Sequence, residues 1–69
     1  MTVEKRLGIA IIMQRKKVGI SQEDFARKAG IDRGYMSRIE NGKTSISLAI
    51  IERIAKAFGI TMSELLGSV

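Results

Sequence analysis

The sequence predicts an all-α fold, a compact bundle of five helices, and three observations carry that expectation. Gly19, Gly30, Gly42, Gly59 and Gly67 each follow a stretch with helical apolar spacing, where a left-handed residue ends a helix. Upstream of each stands a capping residue type: Thr2, Ser21, Asp32, Ser47 and Thr61 have side-chain oxygens that can accept from the first orphan amides of a helix. No proline interrupts the intervening segments, and none of them alternates as a strand would.

Taken in order, the first helix is expected over 3–18, with Leu7, Ala10, Ile11 and Val18 along its apolar side. The second, over 22–29, opens at Ser21 with Asp24 at the capping-box offset and buries Phe25, Ala26 and Ala29. The third, over 33–41, is capped by Asp32 and anchored by Met36 and Ile39. The fourth runs over 48–58 with Ile51, Ile54, Ala55 and Phe58 inward, and the fifth over 62–66 behind a Thr61–Glu64 capping box. The connections are short, and there is no repeat, linker or low-complexity segment, so residues 1–69 read as one domain.

A chain of 69 residues buries only a modest core, and self-association would add to its stability. With no cysteine and no histidine, disulfides, thiolate sites and the commonest metal ligand and general base are all missing. We therefore expect no metal, no cofactor and no enzymatic activity. Glu23 and Asp24 suit the positive end of the helix they open better than a catalytic pair. The formal charge of +5 points to a polyanionic partner. The apolar run from Leu7 to Met13 is too short to cross a bilayer, lacks a small-x-small cleavage site, and is followed at once by Arg15, Lys16 and Lys17. We read the chain as cytoplasmic, with no membrane partner.

The segment SQEDFARKAGIDRGYMSRIENGK, residues 21–43, carries the functional signal. Two helices crossing steeply over a short turn need a small residue where they approach, and Ala26 supplies it. Gly30 allows the positive φ of the reversal, Ile31 plugs the corner, and Met36 and Ile39 fix the next helix to the core. That spacing is a helix-turn-helix at about 22–41. It buries the third helix on one side and leaves Arg33, Gly34, Tyr35, Ser37, Arg38 and Asn41 outside, a row of donors with almost no acid. Such a helix fits a B-DNA major groove, where arginine bonds guanine O6 and N7 in bidentate fashion.

That stretch, followed by ISLAIIERIAKAFGI, resembles the five-helix DNA-binding domain of the Xre, lambdoid repressor and Cro family, from about Leu7 to Leu66. More narrowly, GIDRGYMSRIENGKTSISL is similar to blocks of restriction-modification controller proteins. The resemblance implies a sequence-specific transcriptional regulator, of controller or phage-repressor type, that binds a palindromic operator in double-stranded DNA as a homodimer. By the same resemblance Arg33, Gly34, Ser37 and Arg38 face base edges. Gly34 departs from the usual polar residue, which shifts the reading onto the arginines and DNA shape. Gln22, Tyr35, Asn41, Lys43, Thr44 and Ser45 fall at backbone-contacting positions, and Arg15 with Glu40 at a structural salt bridge. Ile50, Ile60, Met62 and Leu66 give the C-terminal end a dimer face, while Ile9, Ile12 and Met13 have no assigned role. RNA polymerase is a further partner that an acidic residue near the DNA would reach.

Two rival functions share parts of this pattern. An antitoxin or other protein-binding module could use the same fold, with an additional toxin-binding segment for which these residues show no tail. A basic amphipathic membrane binder would need apolar and cationic residues segregated along an exposed helix, whereas here the bundle uses the apolar faces.

Overall fold

The computed structural model describes residues 1–67 and 69 and is all-helical among them. The helices are α1 (Val3–Val18), α2 (Gln22–Ala29), α3 (Arg33–Glu40), α4 (Leu48–Phe58) and α5 (Met62–Gly67). The caps are those the residue types require. Thr2, Ser21, Asp32 and Ser47 accept from Lys5, Asp24, Tyr35 and Ile50 N–H, at 3.1–3.2 Å. At α5 the capping box is reciprocal: Thr61 N–H donates to Glu64 Oε1 at 2.9 Å and Glu64 N–H donates to Thr61 Oγ1 at 3.0 Å. Hydrogen bonding from Thr61, its backbone N–H first and its side chain second, holds the Glu64 carboxyl below the usual carboxylate range.

The core joins Leu7 and Ile11 of α1, Phe25, Ala26 and Ala29 of α2, Met36 and Ile39 of α3, and Ile51, Ile54 and Ala55 of α4, with Ile31 at the turn. Phe58 is half-buried and stacks on Phe25, ring centroids 4.0 Å apart. Leu65, only 2% exposed, locks α5 to this core, a role the sequence reading did not give it.

Three expectations change. Val18 is 56% exposed, because the chain turns back at Gly19 and it is Ile20 that packs on the core. Gly67 is the last residue of α5 and not the left-handed residue after it, and Val69 N–H donates to Leu66 O at 3.0 Å. α3 ends at Glu40, with Asn41 as its C-cap and Gly42 taking the positive φ of 68°.

Gly8, in the middle of α1, is buried where that helix meets the end of α3. A Cβ there would lie 2.7 Å from the Ile39 carbonyl oxygen and closer still to that of Glu40. The missing side chain lets two backbones touch, which sets the position of α3 relative to α1.

Candidate nucleic-acid interface

The turn between α2 and α3 is closed by Gly30 N–H to Arg27 O at 3.1 Å and Ile31 N–H to Ala26 O at 2.9 Å, with Gly30 at φ 68°. From α4, Arg53 Nη1 donates to Gly30 O at 3.2 Å and braces the turn. This arrangement projects α3 with Met36 and Ile39 fully buried and Arg33, Gly34 and Arg38 exposed.

The inner end of α3 is held by charge. Arg15 Nε donates to Glu40 Oε2 at 2.7 Å and Arg15 Nη2 to Glu40 Oε1 at 2.9 Å, a bidentate pair in which the Glu40 side chain is only 2% exposed. Arg15 Nη1 also reaches Ile20 O at 3.0 Å, so one guanidinium ties α1, the first turn and α3 together. Hydrogen bonding to Glu40 is the main cause of a raised Arg15 pKa, partly opposed by burial.

Gln22 joins the same cluster, its Nε2 donating to Glu40 Oε1 at 3.1 Å. Its second amide hydrogen and the opening amides of α2 are the groups that could meet a phosphate.

On the outer face, the picture of donors with almost no acid needs correction. Glu23 of α2 reaches across the turn, and its Oε2 accepts from Arg33 Nη1 at 3.0 Å, while Oε1 lies 3.5 Å from Arg27 Nη2. The turn between α2 and α3 brings Glu23 and Arg33 together although they are ten residues apart. All three are exposed, so the pairs contribute little to stability, on the order of 0–1 kcal/mol each. They restrict where Arg33 points.

Arg38 is oriented differently, its guanidinium carbon 5.5 Å from the centroid of the Tyr35 ring. Asn41 Nδ2 donates to Ser37 O at 2.9 Å and approaches Ser37 Oγ at 3.4 Å, closing the last turn of α3. Lys43, Thr44 and Ser45 follow in the loop to α4, with Lys43 and Ser45 exposed. Gly34 sits at the helix start, where a Cβ would come within 3.0 Å of the capping Asp32 carboxylate.

The structure thus brings Arg33, Gly34, Tyr35, Ser37 and Arg38 onto one short helix, with Gln22, through its bond to Glu40, and the Lys43–Ser45 loop at the C-terminal end of that helix. Glu23 and Arg53 were not foreseen as contributors. Their roles depend on the angle between helices, which sequence spacing does not display. Away from this surface, Ile50, Ile60 and Met62 are half-buried against the core and Leu66 is 41% exposed, leaving an apolar surface along α4 and α5.

This geometry, two helices across a glycine turn with the second presenting a basic outer face, defines a helix-turn-helix protein of the DNA-binding regulator class. The helix-turn-helix family model matches residues 11–65, and the chain belongs to that family. Restriction-modification controller proteins are among its near relatives. Control protein C.MunI of Mycoplasma sp is 44% identical over 57 residues, covering 83% of this chain and 77% of that protein. The solved controller protein C.AhdI of Aeromonas hydrophila superposes with a TM-score of 0.85 at 34% identity, covering 88% of this chain and 92% of that one. A hypothetical transcription factor from Neisseria gives a TM-score of 0.88 at 35% identity, over 94% of this chain and 75% of its own. The chain spans under half the length of several other curated relatives.

Proposed function

We propose that the chain is a controller-type transcriptional regulator that binds a palindromic operator as a homodimer, with α3 in the major groove of each half-site. The observation that carries this reading is the outer face of α3, where Arg33 and Arg38 project from a helix fixed at its far end by the Arg15–Glu40 pair, whose carboxylate is buried. A rigid helix with oriented guanidinium groups suits bidentate readout of guanine, in which each good pair discriminates by about 1–3 kcal/mol.

Arg33 and Arg38 read bases, Ser37 supplies a hydroxyl to either a base or a water, and Gly34 lets the helix backbone approach the groove closely. Gln22, Tyr35, Asn41, Lys43, Thr44 and Ser45 set the register on the phosphates. On DNA, Arg33 exchanges the Glu23 carboxylate for a guanine edge. A wrong base in that place returns the arginine to Glu23, so the pair favours discrimination over general adhesion.

The apolar surface of Ile50, Ile60, Met62 and Leu66 forms the isologous dimer contact, which places the two α3 helices in successive major grooves about one turn, roughly 34 Å, apart. The cytoplasm is the compartment where such a protein meets its operator. RNA polymerase bound beside the operator is the partner through which occupancy would change transcription.

Selection of bound sequences from a random duplex pool tests the proposal. Enrichment of a palindrome with half-sites about one turn apart is the expected result. Recovery of no motif, with only weak salt-sensitive binding, would overturn it.

A further inference from the structure

Of the three α1 residues left without a role, Ile9 and Met13 line a groove of about 460 Å³, and Ile12 does not. Met1, Ala10, Gln14 and Val69 line it as well, together with the cations of Arg6 and Lys17. No aspartate or glutamate is among the residues lining it. Ile9 is 42% and Met13 66% exposed, a large apolar surface for the outside of a helix.

The groove does not belong to the DNA-reading side. At about 100° per residue, Arg6, Met13 and Lys17 fall on the side of α1 opposite Gly8 and Arg15, the two residues that face α3. Its apolar side chains offer nothing to a phosphate backbone. A second copy of this chain is also a poor occupant, because a two-fold contact here would bring the Arg6 and Lys17 cations of one copy against the equally cationic groove of the other. The charge pattern complements a different ligand: apolar side chains on one face, carboxylates flanking them.

We propose that this groove docks an acidic amphipathic helix of another protein, its apolar ridge laid over Ile9, Ala10 and Met13 and its carboxylates paired with Arg6 and Lys17. The lining supports this in two ways. Methionine is unbranched and adapts to an incoming side chain, and an amphipathic helix laid on apolar side chains offers anchors spaced three and four residues apart. The cationic lining selects acidic partners over basic ones and speeds their encounter. The inference is independent of the operator reading, since the two surfaces lie on different sides of the bundle.

The test uses ¹⁵N-labelled protein titrated with a synthetic amphipathic helix bearing leucine on one face and glutamate on the other. Amide shifts are expected at Ile9, Ala10, Met13 and Lys17, with those of Arg33, Ser37 and Arg38 unmoved. The Ile9→Gln/Met13→Gln variant, which keeps the charge and alters exposed residues only, should weaken the peptide by about tenfold with an unchanged thermal melt. Arg6→Gln/Lys17→Gln should weaken it and flatten its salt dependence.

Three results would overturn the proposal. One is equal binding of a peptide with lysine in place of glutamate. Another is shifts confined to α3, which would make the peptide a mimic of DNA. The third is concentration-dependent broadening of the groove residues without peptide, which would give the groove to a second copy.

Discussion

Replacing Gly8 by alanine should destabilise this protein, although alanine is the better helix former. In an exposed helix the change would gain about 0.8–1.0 kcal/mol. Here the added methyl carbon would sit 2.7 Å from Ile39 O, against an ordinary carbon-to-oxygen contact of about 3.3 Å. The other obstacle is the Glu40 carbonyl, and neither can rotate away because both belong to the backbone of α3. The helices must therefore part by roughly 0.6 Å or more, which strains the Arg15–Glu40 pair beside them. Overpacking of this kind costs about 1–3 kcal/mol, and an obstacle made of backbone puts it at the upper end. The net loss is about 1–2 kcal/mol, from a total of roughly 3–10 kcal/mol for a domain this size. With a urea slope near 1 kcal/mol/M, the unfolding midpoint followed by circular dichroism should fall by about 1–2 M. Gly67→Ala is the control, since a methyl there meets nothing within 4 Å and the midpoint should hold or rise. A Gly8→Ala midpoint equal to or above that of the wild type would refute the close-approach reasoning.

The remaining predictions concern charge and assembly. Arg33→Ala should cost roughly 1–3 kcal/mol at the selected operator and relax base preference, whereas Lys43→Ala should weaken all sequences and reduce the salt slope by about 1, both read by fluorescence anisotropy at several salt concentrations. Glu40→Leu leaves the partly buried Arg15 guanidinium without its carboxylate and should cost about 1–3 kcal/mol, while Arg15→Leu/Glu40→Leu should recover much of the loss in the same urea assay. Leu66→Asp places a charge on the α4–α5 surface and should shift sedimentation toward monomer and lower operator affinity without lowering the thermal midpoint. Because the folded-state pKa of Glu64 is depressed, its contribution is present above the unfolded value, near 4.3, and is lost as pH falls through the folded one; the stability gap between wild type and Glu64→Ala should therefore close on acidification across that window.

Much of this molecule was legible in the sequence because its punctuation is local. A cap needs only an oxygen three residues from an amide, and a left-handed turn only a glycine, so all five helices start where Thr2, Ser21, Asp32, Ser47 and Thr61 place them, and α1, α2 and α4 end at Gly19, Gly30 and Gly59. Gly67 escaped because a terminal glycine looks the same whether it ends a helix or follows it. Leu65 escaped because the α5 segment is too short to show a face, and only its docking reveals which side is inward. Gly8 carries a signal that could have been followed: a glycine in a helix interior costs stability and calls for a close neighbour. The basic face of α3 was readable from spacing, whereas its acidic companion Glu23 was not, since the two meet across a crossing angle. The surplus of apolar residues in α1 was visible as Ile9, Ile12 and Met13, and the structure places Ile9 and Met13 in the lining of a groove.

The most direct measurement of the central claim is guanine methylation interference on the selected duplex, comparing wild type with Arg33→Ala. If α3 reads the major groove of two half-sites, methylation at N7 should block the wild type at guanines clustered about one helical turn apart, with one position per half-site losing its effect in the variant. An interference pattern identical in both proteins, or none at all, would contradict the assignment of α3 as the reading helix.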